Sequence, residues 1–169
     1  MIDDTRPAGG GAFALTVIGT IHSPCQTPEG TPIQTVFGQG IEATVTVREE
    51  YAPALADIEG FERLWLLYWF DRAGPFAPLV VPYRDDVPHG LFATRSPARP
   101  SAIGLSVVRL LERRGAVLRV ADIDVLDGTP LIDIKPYVPQ FDAFPGSKAG
   151  WCDRSGVDRT IADARFHGR

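Results

Sequence analysis

Apolar residues along this chain come in short runs, separated by loops rich in proline and glycine, and most runs carry the period of a strand. "FALTVIGTI", from Phe13 to Ile21, is short and β-branched and predicts a buried strand. "IEATVTV" alternates cleanly, with Ile41, Ala43, Val45 and Val47 on one face of a half-buried strand. "LWLLYWF", from Leu64 to Phe70, is continuously apolar, which predicts a central strand buried on both faces. From Ile103 the pattern reads strand, turn at Arg114-Gly115, strand, turn at Asp127-Gly128, strand. Up to Leu111 a helix is the alternative, because Ile103, Val107, Leu110 and Leu111 also have helical spacing. "EEYAPALADIEGF" is the helix candidate: acidic residues lead it, Pro53 suits its first turn and Gly60 stops it.

The connecting segments complete a mainly β, single-domain reading. Residues 1–12 read as a flexible tail and residues 13–148 as the foldable domain. Residues 149–169 turn polar and read as a tail on the surface or on a partner subunit, anchored by Trp151, Ile161 and Phe166. No alternating βαβ order is present. The expected architecture is a small closed or partly open β-barrel with one or two short helices, since closure removes exposed strand edges. "HSPCQTPEGTPIQTVFGQG" is a long loop of the kind that often carries function, and Asp71 to Gly90 reads as irregular.

Composition narrows the classes. A chain of 169 residues with 44% hydrophobic content sustains one real core. No apolar run approaches the roughly 20 residues of a membrane span. The acidic, glycine-rich start reads as no secretory signal. Cys25 and Cys152 lie far apart and suit free thiols in a reducing cytoplasm, so a cytoplasmic protein is expected. A net charge of −4 argues against a generally basic nucleic-acid coat but not against a local basic patch. Only Lys135 and Lys148 are lysine among the 17 basic residues. Arginine suits bidentate contact with phosphate or carboxylate, although a GC-rich genome gives the same bias.

Most familiar motifs are missing. "GQGIEA" lacks the third glycine of a dinucleotide fingerprint and leads into a strand, and there is no P-loop. His22, His89 and His167 have no metal-ligand spacing, so no metal is expected. Asp122 and Asp124 in "ADIDVLDG" would share one face of a strand, while Asp127 before Gly128 suits a turn. No nucleophile elbow surrounds a serine. What remains is three polar, proline-stiffened loops: "SPCQTPEGTPIQ", "FATRSPARPSAIGLS" and "DVLDGTPLIDIKPY". Together they read as a binding site assembled from loops.

In order along the chain, "IGTIHSP", "TPIQ", "YAPALADIEGFERLWLLYWF", "GLFATRSPARPSAIGLSVV" and "DVLDGTPLIDIKPYVP" resemble the TsaA/TrmO (YaeB-like) family, over roughly residues 15–145. The resemblance implies a small β-barrel that binds S-adenosylmethionine outside the Rossmann class. It implies a homodimer that methylates the exocyclic amine of threonylcarbamoyladenosine beside the tRNA anticodon. Carried over by motif, Gln34, Thr35, Val36, Phe37, Asp71, Arg72, Arg95, Leu105, Asp124, Val125, Leu126 and Asp127 are the implied cofactor-binding residues. Arg99, Asp133, Lys135 and Tyr137 are the implied catalytic, substrate-facing set. By chemistry, Arg95 or Arg99 suits a carboxylate or an RNA phosphate, Asp127 or Asp133 a proton from the amine, and Tyr137 a base. The chain departs from the family at Glu62-Arg63, at Asp71 and at Ser101-Ala102, where serine-histidine, histidine and asparagine-proline are usual. A small-molecule acceptor and a non-catalytic cofactor-binding barrel are the alternatives these departures raise.

Overall fold

The fold is known from a computed structural model that describes residues 14–167. The proposed N-terminal tail, Phe13 and the Phe166 side chain lie outside what it describes. Its strands are β1 Gly19–His22, β2 Glu42–Val47, β3 Arg63–Trp69, β4 Leu79–Val80, β5 His89–Gly90, β6 Ile103–Arg114, β7 Val117–Ala121 and β8 Thr129–Pro136. Six of them close an antiparallel barrel in the order β1-β2-β7-β6-β3-β8, while β4 and β5 form a separate two-stranded ribbon. The one α-helix described is a single turn, Pro139–Asp142.

Alternation decides what fills the barrel. Ala43, Val45 and Val47 of β2 point inward, as do Leu64, Leu66 and Tyr68 of β3 and Leu118 and Val120 of β7. Gly104, Ser106 and Val108 form the inward row of β6. Gly104 lies opposite Tyr68 in the β3–β6 register, and a Cβ there would overlap the Tyr68 ring. An aromatic side chain fits inside this narrow barrel because its cross-strand neighbour has no side chain.

Several expectations are corrected. The first strand begins at Gly19, not Phe13. The expected helix after β2 is two 3₁₀ turns, Glu49–Leu55 and Ile58–Gly60, broken at Asp57 with φ 66°. Pro53 lacks an amide donor and sits inside the first turn, which keeps the segment short. The apolar β3 is sealed on its inner face only: Trp65 and Leu67 are half-buried on the outside and Trp69 is exposed. The stretch Ile103–Leu111 is strand, not helix. Its first half pairs with β3 and its second half with β7, so twelve residues serve two neighbours. Asp122 and Asp124 do not share a strand face, because β7 ends at Ala121 and Asp122 turns away at φ 68°.

Candidate functional site

Strand order alone gathers the loops. In this antiparallel barrel β1, β3 and β7 end where β2, β6 and β8 begin. Residues 23–41, 70–102 and 122–128 therefore emerge at one end. They contain two of the three polar loops expected to build a site and the start of the third, whose residues 129–136 are strand β8 instead.

Asp124 is the centre of the cluster. Ser106 Oγ donates to Asp124 Oδ1 at 2.6 Å, and the Tyr68 hydroxyl lies 3.0 Å from Ser106 Oγ. Ser106 has one proton, so Tyr68 must donate to Ser106 while Ser106 donates to the carboxylate. Burial pushes the Tyr68 phenol well above its ordinary pKa, which keeps it a donor. Burial also pushes Asp124 up, to about 6, against the opposing pull of Ser106, backbone donors including Thr35, and the Arg95 charge. A carboxylate that ionises near neutrality has been placed beside the start of the 3₁₀ turn Thr35–Phe37.

That turn is held close to the barrel by Gly38. A Cβ at Gly38 would overlap the Ile123 carbonyl, so only glycine permits this approach. Just before the turn, Arg95 donates to Gln34 Oε1 at 2.6 Å, while Gln34 Nε2 donates to its neighbouring Ile33 carbonyl at 2.6 Å. Arg95 is exposed, and among the described residues it makes no other hydrogen bond. Val36 and Phe37 are exposed beside it. An acid, a guanidinium, an amide and two apolar side chains thus occur together, a donor set suited to a zwitterionic ligand with an apolar body.

A second group adjoins the first. Arg72 donates to the Asp127 carbonyl at 2.8 Å and to Thr129 Oγ1 at 3.0 Å, and its Nε lies 3.4 Å from Asp71. Asp127 accepts from the Ser23 amide at 3.1 Å, with His22 at 3.5 Å. The Ser23 amide, then Gln26 and His22, hold the Asp127 carboxyl below the usual range. Val125 is buried in the core and its carbonyl accepts from Ser23 Oγ, while the Leu126 carbonyl accepts from Thr129.

Other expected site residues stand apart from this cluster. Leu105 points outward, 46% exposed, opposite Leu67. Asp133 and Lys135 form their own ion pair at 2.8 Å on β8, and Tyr137 packs against Trp65 at 5.8 Å between rings. Arg99 donates to the carbonyls of Leu91, Thr94 and Ser96 and lies over the Phe92 ring, so its fork braces its own loop. Among the departures from the family, Arg63 has a clear partner, the buried Asp122 at 3.1 Å. No group of three metal-type ligands occurs among the described residues. Ser106 and Tyr68 were not expected at the site. Their signal was a hydroxyl on the inward parity of two otherwise apolar strands.

Comparison with known proteins places this geometry in context. The family model for the tRNA-methyltransferase O N-terminal domain matches residues 20–143. A probable S-adenosyl-L-methionine-binding protein of Pyrococcus abyssi is 49% identical over 88% of this chain and 82% of its own. The tRNA (adenine(37)-N6)-methyltransferase of Escherichia coli is 33% identical over 83% of this chain and 64% of its own. The crystal structure of TrmO from Pseudomonas aeruginosa superposes with a TM-score of 0.72 at 33% identity, covering 86% of this chain and 63% of that one. The chain therefore spans a little under two thirds of these two bacterial proteins, and under a third of the mouse and human tRNA (adenine(37)-N6)-methyltransferases it also matches.

Proposed function

The chain belongs to the family of the tRNA-methyltransferase O N-terminal domain, and from that premise we propose that it is an S-adenosylmethionine-dependent tRNA methyltransferase. Its acceptor is the exocyclic N6 of adenosine 37, carried as threonylcarbamoyladenosine. The observation that carries this reading is the half-buried Asp124 beside Arg95, Gln34 and Thr35, in a chain whose relatives are named for S-adenosylmethionine binding and adenosine-37 methylation.

The ligand's charges fit the residues present. Asp124 suits a cationic group and Arg95 a carboxylate, while Val36 and Phe37 offer apolar contact to a flat ring. Asp71, Arg72, Leu126 and Asp127 line the neighbouring loops, and Leu105 faces outward, away from them. S-Adenosylmethionine, when bound, supplies an electrophilic methyl group for in-line displacement by the amine. The chain's own contribution is to fix the two reactants and exclude water. Asp133 and Lys135, paired with each other on β8, and Tyr137, packed on Trp65, lie on a separate outer face and are given no part in the transfer at the cofactor cluster. Arg99 acts by stiffening the loop that presents Arg95.

We also infer a homodimer. Trp69, Ile103 and Leu105 leave an apolar outer row on β3 and β6, exposed by 49%, 37% and 46%, which a second copy would cover. Mass spectrometry of nucleosides from tRNA incubated with the chain and a trideuteromethyl cofactor tests the acceptor. Label on threonylcarbamoyladenosine supports the reading. Cofactor binding without any tRNA label favours the small-molecule acceptor that Asp71 and Ser101-Ala102 leave open.

A further inference from the structure

The C-terminal segment lies beyond the family match at residue 143, yet it is stitched to the site. The Gly30 amide donates to Ala162 O at 3.0 Å, the Ala162 amide to Thr31 O at 2.8 Å, and the Ile33 amide to Thr160 O at 3.0 Å. Pro32 and Ile161 form an antiparallel bridge. The loop that leads directly into Gln34–Phe37 is therefore one strand of a two-stranded patch, and residues 160–162 are the other.

A second set of contacts converges through Arg84. Its guanidinium donates to Asp158 Oδ1 at 2.6 Å and lies over the Phe37 ring, 5.6 Å from the centroid. Ser155 Oγ donates to the Arg84 carbonyl. Arg159 reaches back to Asp86 at 2.8 Å, and the Trp151 indole donates to Ala93 O at 2.7 Å while stacking on His89 at 4.5 Å. The segment thus grips both loops that supply Gln34–Phe37 and Arg95. These contacts have little to do with the barrel core, whose fully buried side chains all come from residues 21–131.

We propose that residues 151–165 are a positioning strap for the cofactor site, with Arg84 as the residue that carries their position to Phe37. The inference rests on the reading that Gln34–Phe37 bind S-adenosylmethionine. Backbone pairing fixes the approach of the loop, and the Arg84 guanidinium fixes the Phe37 ring. A ligand then meets a preformed turn instead of ordering the loop between β1 and β2 on binding. Asp158 is 88% exposed, so its ion pair adds little alone. The backbone patch and the cation–π contact are the larger contributors.

Calorimetry with S-adenosylmethionine and with its demethylated product tests this on the full chain. Ala162→Pro removes the donor to Thr31 without touching the barrel. Arg84→Ala removes the Phe37 contact, and Arg84→Lys keeps the charge without the planar stack. Ala162→Pro and Arg84→Ala should each weaken binding of both ligands by about tenfold, with Arg84→Lys in between. Backbone amides of residues 30–37 should exchange faster in both variants without ligand, while the thermal midpoint moves by only a few degrees. Unchanged affinity and unchanged exchange in both variants would overturn the strap. A wild-type chain that binds neither ligand at millimolar concentration, with fast exchange confined to the variants, overturns the cofactor reading and leaves the strap as a brace for another ligand. A wild-type chain that binds neither ligand, with slow exchange in every variant, overturns both.

Discussion

Asp124 is the residue where stability and binding pull in opposite directions. Its pKa is raised by burial to about 6, against roughly 3.9 in an unfolded chain. The folded state therefore holds the proton more tightly. Its stabilising effect is complete below about pH 4 and is lost as the pH rises through about 6. Asp124→Asn keeps an acceptor for Ser106 and removes the buried charge. It should flatten thermal stability between pH 4 and 7 and raise it at pH 7.5 by about 1–3 kcal/mol, read by calorimetric unfolding, while cofactor affinity falls. Arg99 carries the opposite prediction. Its fork braces three carbonyls, so Arg99→Ala should cost about 1–2 kcal/mol of stability. It should also raise KM for the cofactor more than it lowers kcat, and a fall in kcat alone would return Arg99 to the chemistry.

At the scale of elements, two glycines decide how close the pieces come. Gly38→Ala pushes the Thr35–Phe37 turn off the Ile123 carbonyl, so it should weaken cofactor binding about tenfold or more while barrel strands keep their hydrogen-exchange protection. Gly104→Ala meets the Tyr68 ring inside the barrel and should cost about 2–4 kcal/mol in chemical denaturation. Strand alternation made the inward row of β2 legible from sequence, because one face of it meets the core. Continuous apolar sequence misled at β3. Trp65, Leu67 and Trp69 face outward, and their burial depends on what lies against the barrel, which local pattern does not encode. The helix expected at Glu49–Phe61 failed for a local reason, since Pro53 and the positive φ of Asp57 allow only short 3₁₀ turns. The C-terminal segment was read as polar surface, and its role as a second strand beside Gly30–Ile33 is a long-range pairing that no short window reveals.

For the whole molecule, barrel closure brings together most of the implied cofactor residues and leaves Asp133, Lys135 and Tyr137 on a separate outer face. Which residues belong to the end-loop cluster was legible through motif resemblance. The buried relay Tyr68–Ser106–Asp124 was not, because it requires the β3–β6 register. The outer row predicts assembly: Leu105→Glu should convert a dimer to a monomer at micromolar concentration in light scattering, and a wild-type monomer would remove the dimer. Methyl transfer to tRNA adenosine 37 is read by nucleoside mass spectrometry after purified chain, trideuteromethyl cofactor and tRNA bearing threonylcarbamoyladenosine are mixed. That nucleoside should gain one trideuteromethyl group, and Arg95→Ala should lose it. Unlabelled tRNA from a chain that binds the cofactor would contradict methyl transfer to adenosine 37.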